Sequence, residues 1–268
     1  MRSVLGIDAA WSGRGSSGVS LVAQDDSGWH CVAVAPSYDS FIALTDGKTV
    51  RWEKKHPGTA PNADALVAAC RQLLGGKSPT AVAVDMPLSK NPIRGRRRAD
   101  DLISREFGSR GCGTHTPSPD RPGKIGKALS VGFESRDFQL ATSDTKYGRA
   151  GTLLEVYPHP AILTLLDESY RFPYKASKSM IYWPGLPKPE RYAKLISNLG
   201  RILNKIGSII SCREEQFPFP PKTQDQITLS SLKPYEDAID SLVCAWVGIR
   251  YLEMTAKPYG DDTAAIWV

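Results

Sequence analysis

Five carboxylates stand where a carboxylate is costly. Asp8 closes the apolar run that starts at Ser3, and Asp85 ends Ala81-Val-Ala-Val. Glu155 lies inside Leu153-Leu-Glu-Val-Tyr157, and Asp237 and Asp240 sit three apart on an apolar-faced stretch. An acid set in or against an apolar strand is unfavourable unless it is paired or bound to a metal. Ligands of open α/β sheets collect beyond the carboxyl ends of the strands, where Asp8 and Asp85 both fall. Positions three apart on a helix share a face, so Asp237 and Asp240 can aim at one spot. Converging hard oxygen donors suit Mg²⁺ or Mn²⁺ rather than zinc. Two such ions roughly 3.5–4 Å apart can activate a water and stabilise the leaving oxygen in phosphodiester cleavage. Each acid also has a plainer reading. Asp8 and Asp85 suit turns, Asp237 with Glu236 suits the dipole of a helix start, and Glu155 suits a bridge to an arginine.

The elements that would position these acids can be traced along the chain. Ser3 to Asp8, Gly18 to Ala23 and Trp29 to Ala35 are three short strand patterns separated by turns, a glycine-rich one at Ser12 to Ser17 and another at Asp25-Asp26-Ser27-Gly28. They predict an antiparallel meander. Asn62 can cap a helix with Leu66, Val67, Cys70 and Leu73 on its apolar face, ended by Gly75-Gly76. Ala81 to Asp85 and Gly151 to Tyr157 are buried-strand patterns. Arg97 to Phe107 and Ala161 to Asp167 are read as helices, with a loop from Gly108 to Gly126. Glu190 to Ile210 is an amphipathic helix pattern, and residues 217 to 222 a Pro-rich loop. Pro234 marks the expected start of a helix running to Leu252, and Ala264 to Val268 a last strand.

The 268 residues, 41% of them hydrophobic, suffice for one large core. The apolar run at the start is too short for a secretory core, and no stretch nears the roughly 18 apolar residues of a membrane span. Cys31, Cys70, Cys112, Cys212 and Cys244 are scattered, without metal-site or disulfide-framework spacing. That usage predicts reduced thiols, a cytoplasmic protein and no membrane partner. Residues 90 to 130 hold ten Lys/Arg and four acids, a net charge equal to the +6 of the whole chain. Such a local field suits a polyanion, or is a solvated basic loop. Arg97 and Arg98 are the leading phosphate contacts, with Lys124 a further substrate-binding candidate.

Several blocks together resemble a known family. They are Gly6-Ile-Asp8-Ala-Ala-Trp11, Val84-Asp85-Met-Pro-Leu88, Arg97-Arg98-Ala-Asp100, Glu155-Val-Tyr-Pro-His159, Tyr235-Glu-Asp237-Ala-Ile-Asp240 and Gly260-Asp261. They resemble the DUF429 family, described as predicted nucleases with a ribonuclease-H-like fold. The resemblance implies a mixed five-stranded sheet, three antiparallel strands and then parallel ones, flanked by helices. It implies one domain over 1–268, with insertions at about 90–150 and 170–222. It also implies metal-ligand roles for Asp8, Glu155, Asp237 and Asp240, with Asp85 as a further catalytic acid. The expected activity is hydrolysis of nucleic acid, DNA or RNA, with Mg²⁺ or Mn²⁺. Two alternatives stand beside it. One is a non-catalytic module binding nucleic acid or protein through the basic segment. The other is a phosphotransferase of the sugar-kinase and actin type, holding phosphate on the glycine-rich turn after Asp8.

Overall fold

A computed structural model describes residues 1–12, 15–220 and 228–268. The glycine-rich turn Ser12 to Ser17 and the Pro-rich loop 217 to 222 therefore lie partly outside the described residues. In chain order the elements are β1 (Ser3–Asp8), β2 (Gly18–Asp25), β3 (Gly28–Ala35), α1 (Tyr38–Ala43), α2 (Ala63–Leu73), β4 (Ala81–Val84), α3 (Arg98–Phe107) and α4 (Lys124–Glu134). They continue with β5 (Gln139–Leu140), β6 (Thr152–Val156), α5 (Pro158–Leu166), α6 (Ser179–Tyr182), α7 (Lys188–Gly207), β7 (Ile210–Ser211), α8 (Leu229–Leu252), β8 (Pro258–Gly260) and β9 (Ala265–Trp267).

One mixed sheet carries everything, in the order β7-β3-β2-β1-β4-β6-β9-β8, with β5 also on β6. β1, β2 and β3 form the expected antiparallel meander, and β4, β6 and β9 follow parallel. The described residues form nine strands, where five were expected. β5, β7, β8 and β9 span two or three residues each, too few for a period-2 pattern to register.

Alternation along the strands splits the core into two layers. Val4, Ala81, Ala83 and Leu154 pack with Ile239, Leu242 and Val243 of α8 on one face. Leu5, Ile7, Val82 and Val84 pack with Leu66 and Cys70 of α2 and Leu129 and Phe133 of α4 on the other. α8 presses directly onto the meander. A Cβ on Gly6 would overlap the Ser241 carbonyl oxygen, and one on Gly18 the Asp237 carbonyl oxygen. The absence of side chains there lets the helix lie against β1 and β2 and sets Asp237 beside the end of β1.

Helix limits moved in several places. α8 begins at Leu229, more than a turn before Pro234, because Thr228 forms a capping box with Ser231. Pro234 thus lies inside the helix, where its missing N–H concerns the carbonyl of Ser230 in the exposed first turn. α7 stops at Gly207, and Ile210 joins β7 instead. The end of the loop expected over Gly108 to Gly126 opens α4, entered through Gly123 at φ +57°. α2 matches its reading closely. Asn62 Oδ1 accepts from the Ala65 amide at 3.0 Å, and Gly75 and Gly76 follow the helix at positive φ.

Candidate active site

Strand register brings the first two acids together. Ile7 pairs with Val84 across β1 and β4, so Asp8 and Asp85 occupy the next row, and the Asp85 amide donates to the Ile7 carbonyl at 2.9 Å. Ile7 and Val84 point to the α2 side, so Asp8 and Asp85 point to the α8 side. Both are half-buried and line a cleft of about 470 Å³. Among the described residues, no hydrogen-bond donor reaches either carboxylate. Burial is the main reason Asp8 titrates at about 6; Lys175 opposes that rise and Asp237 adds to it. Burial, then the charge of Asp8, pushes Asp85 well above the usual carboxylate range.

The next acids come from α8, and all are buried: Glu236, Asp237 and Asp240. Asp237 accepts from Ser16 Oγ at 2.6 Å and pairs with Lys233 Nζ at 2.6 Å, four residues earlier on the helix. Burial, countered by Lys233, holds it at about 6. Asp240 accepts from the Tyr174 hydroxyl at 2.8 Å and from the Lys175 ammonium, and burial raises it to about 7. Glu236 accepts from Lys233 at 2.7 Å and from the Ala176 amide at 2.7 Å, with Lys175 at 3.4 Å. Its burial is outweighed by the two lysines, which keep it below the usual range. Lys175 is half-buried, and although burial opposes its charge, Asp240, Glu236 and Asp8 around it keep it well above the usual lysine range.

Asp8, Asp85, Asp237 and Asp240 thus gather on one face of the sheet, and Glu155 reaches the same cleft from the other. It pairs in register with Val84, so it projects to the opposite face, toward α3. There Arg97 grips both its oxygens at 2.6 Å, and the Leu88 amide donates to Oε2 at 2.7 Å. Burial pushes Glu155 up, and Arg97 and the Leu88 amide pull it back. Glu155 is thus the counter-ion of a guanidinium, while it lines the same cleft as Asp8 and Asp85 and its charge adds to the rise of Asp85.

Arg97 lines the cleft too, as the centre of an ion-pair cluster. Its five N–H donors go to Asp100 Oδ2 (3.0 Å), Asp100 Oδ1 (2.9 Å), the Leu88 carbonyl (2.7 Å) and the two Glu155 oxygens. None is left for a phosphate. Arg98 is exposed at the start of α3, outside the cleft, with its charge toward Asp261. Lys124 lines a neighbouring cavity of about 640 Å³ with Lys90 and Lys127, not the carboxylate cleft.

The cationic wall of the cleft comes from residues the sequence did not single out for it. Arg121 lies over the Trp11 ring at 5.8 Å, and Arg171, Lys175 and Lys233 face inward with His115. His159 is buried, and Arg171 Nη2 sits 2.6 Å from its Nε2, which requires a neutral ring accepting from the guanidinium. Burial and the charges of Lys175 and Arg171 hold it well below its ordinary range. Lys175 and Tyr174 belong to the segment expected as an insertion over about 170–222. A lysine flanked by core-type aromatics in Phe172-Pro-Tyr-Lys175 was the available signal, and only the fold shows what it meets. Lys233 falls before the helix start expected at Pro234, and its i,i+4 pair with Asp237 exists because α8 begins at Leu229.

Among the described residues, no three His, Cys, Asp or Glu side chains form a ready-made metal cage. The pair open to a cation is Asp8 with Asp85, and Asp237 lines the same cleft. No helix among the described residues is long and apolar enough to cross a membrane. Comparison with curated proteins and with solved structures finds no match. A family model described as "Protein of unknown function (DUF429)" matches residues 6–264, nearly the whole chain, and the protein belongs to that DUF429 family.

Proposed function

We propose that the protein is a metal-dependent phosphodiesterase acting on nucleic acid, with its centre at Asp8 and Asp85. One observation carries this reading: two adjacent carboxylates, given no donor by the described residues, open side by side onto a cleft rimmed by Arg121, His115, Arg171 and Lys233. Burial first, and neighbouring acids second, raise the proton affinity of both carboxylates, a penalty on their charge that a divalent cation can relieve. The donor set fits Mg²⁺ or Mn²⁺, because Mg²⁺ is commonly held by one or two carboxylates, with waters and substrate phosphates completing the shell. Bound there, the ion would supply Lewis-acid stabilisation of the phosphoryl oxygens and a more acidic water.

The chain's own residues divide the remaining work. Asp8 and Asp85 would hold the cation, and Asp237, fixed by Ser16 and Lys233, would add a further oxygen. Asp240 acts at one remove. Its bonds to Tyr174 and Lys175 anchor the segment after residue 170 to α8 and keep Lys175 beside Asp8. Arg121, Arg171 and Lys233 supply positive charge for the phosphates. Asp85→Asn and Asp8→Asn should each abolish Mn²⁺-dependent cleavage of single- and double-stranded DNA and RNA while leaving the fold intact. Full activity in both variants would remove the proposal.

A second reading has one observation behind it. Lys175 and Lys233 already neutralise part of the carboxylate charge, as a site without metal would require. On that reading the cleft is a non-catalytic polyanion site, and binding would depend on salt but not on chelator. Saturable ATP binding without cleavage would instead favour the phosphotransferase alternative.

A further inference from the structure

The cysteines are scattered in sequence, but two of them meet at the β3 edge of the sheet. β7 runs parallel to β3, with Trp29 opposite Ile210 and His30 opposite Ser211. The next row sets Cys212 beside Cys31. Both side chains belong to the same apolar layer, Cys31 within it and Cys212 packed against it. The proximity of Cys212, then burial, raises the Cys31 thiol, and the proximity of Cys31 lowers Cys212. Adjacent strands lie about 4.8 Å apart, within the Cα separations that a disulfide spans.

The two thiols differ as a reactive pair should. Cys212 is half-buried just past the end of β7, while Cys31 is buried. A cavity of about 500 Å³ opens beside them, lined by His30, Leu73, Leu74, Arg213 and Gln216. It shares no residue with the carboxylate cleft. Arg213 lines the same cavity, and its charge acts on Cys31, while Cys212 is the more exposed of the two sulfurs. Cys70, Cys112 and Cys244 are buried, and among the described residues none of them is influenced by a second cysteine.

We propose that Cys31 and Cys212 form a reversible disulfide, with Cys212 as the attacking thiol and Cys31 as the resolving one. The oxidant is a low-molecular-weight disulfide of the glutathione class. The Cys212 thiolate attacks one of its sulfurs, forms a mixed disulfide and expels one thiolate, which takes up the proton that Cys212 released. Cys31 then attacks the Cys212 sulfur, closes the protein disulfide and passes its proton to the second departing thiolate. The protein gives up two electrons and two protons, and the small disulfide becomes two thiols. The bond would staple β7, and with it the end of the segment carrying Tyr174 and Lys175, to the central meander.

The test uses the full chain equilibrated in buffers of graded oxidised and reduced glutathione. Remaining thiols are blocked with a mass tag under denaturing conditions, and the tags are counted and mapped. Oxidation should lower the count from five tags to three and yield one cross-linked peptide pair, Cys31–Cys212, that dithiothreitol reverses. Cys212→Ser should keep four tags at every ratio. Cys31→Ala should stop at a glutathione adduct on Cys212, and Cys31→Ser gives the same readout if the alanine variant fails to fold. Five tags on the wild-type chain across the whole range would overturn the proposal. So would a wild-type chain that accumulates the Cys212 adduct without cross-linking.

Discussion

Asp85 and Glu155 stand at the carboxyl ends of neighbouring parallel strands, one residue out of step, and that step separates their fates. Asp85 turns toward α8 and meets other acids, two lysines and open space. Glu155 turns the other way, into a guanidinium fork that satisfies both of its oxygens. Charge count alone does not distinguish the two sides, since each holds several acids and at least one cation. Geometry does. A bidentate Arg97 locked by Glu155 and Asp100 is a finished structural unit. Ammonium groups are point charges that leave carboxylate oxygens available, as Lys175 and Lys233 do.

The comparison breaks most sharply at Arg97. Arg97→Met leaves Glu155 and Asp100 buried without their partner and should cost about 3–5 kcal/mol, read by urea or thermal unfolding. A loss below about 1 kcal/mol would mean that side is not closed at all. Asp85→Asn tests the open side in the opposite sense. Metal-dependent cleavage should fall at least about 100-fold, while the melting temperature holds or rises, because a neutral amide relieves a carboxylate whose ionisation burial already resists.

Next in size is a dependence on pH confined to the open side. Asp8 and Asp237 titrate at about 6 and Asp240 at about 7 in the folded protein, above the ordinary carboxylate range. The folded state therefore holds protons that the unfolded chain has already released, and stability falls as pH rises from the unfolded carboxylate range through about 7. Without divalent ions, the melting temperature should drop on the order of 5 °C between pH 5 and pH 8. Added Mn²⁺ should recover more of it at pH 8 than at pH 5, since the cation replaces those protons. A melting temperature that climbs over this interval would contradict the assignment. The smallest effect is expected for Tyr174→Phe. It removes one hydrogen bond to Asp240 and should cost about 1–2 kcal/mol in denaturant unfolding, with cleavage kept within about tenfold.

Much of this was legible before any coordinates. Hydrophobic alternation marked β1 to β4 and β6, because half-buried and buried strands leave a pattern five or more residues long. Asn62 and Gly75-Gly76 marked the limits of α2 through the chemistry of caps. The acids were found because an ionisable group in an apolar run needs an explanation. Pro234 misled, because a capping box one turn upstream outweighed the usual preference of proline for a helix start. The short edge strands left no pattern to find.

The sequence by itself determined that Asp8, Asp85, Glu155, Asp237 and Asp240 are under constraint, since the cost of burying charge is local and visible residue by residue. It also determined the α/β character of the chain, which follows from periodicity. Only the tertiary structure decided which acids share a face, because strand register and the two-residue repeat assign sides across elements far apart in the chain. The same holds for Lys175 against Asp240 and for Cys31 beside Cys212. A partner's identity is set by distance in space, and nothing in the local spacing of either residue encodes it.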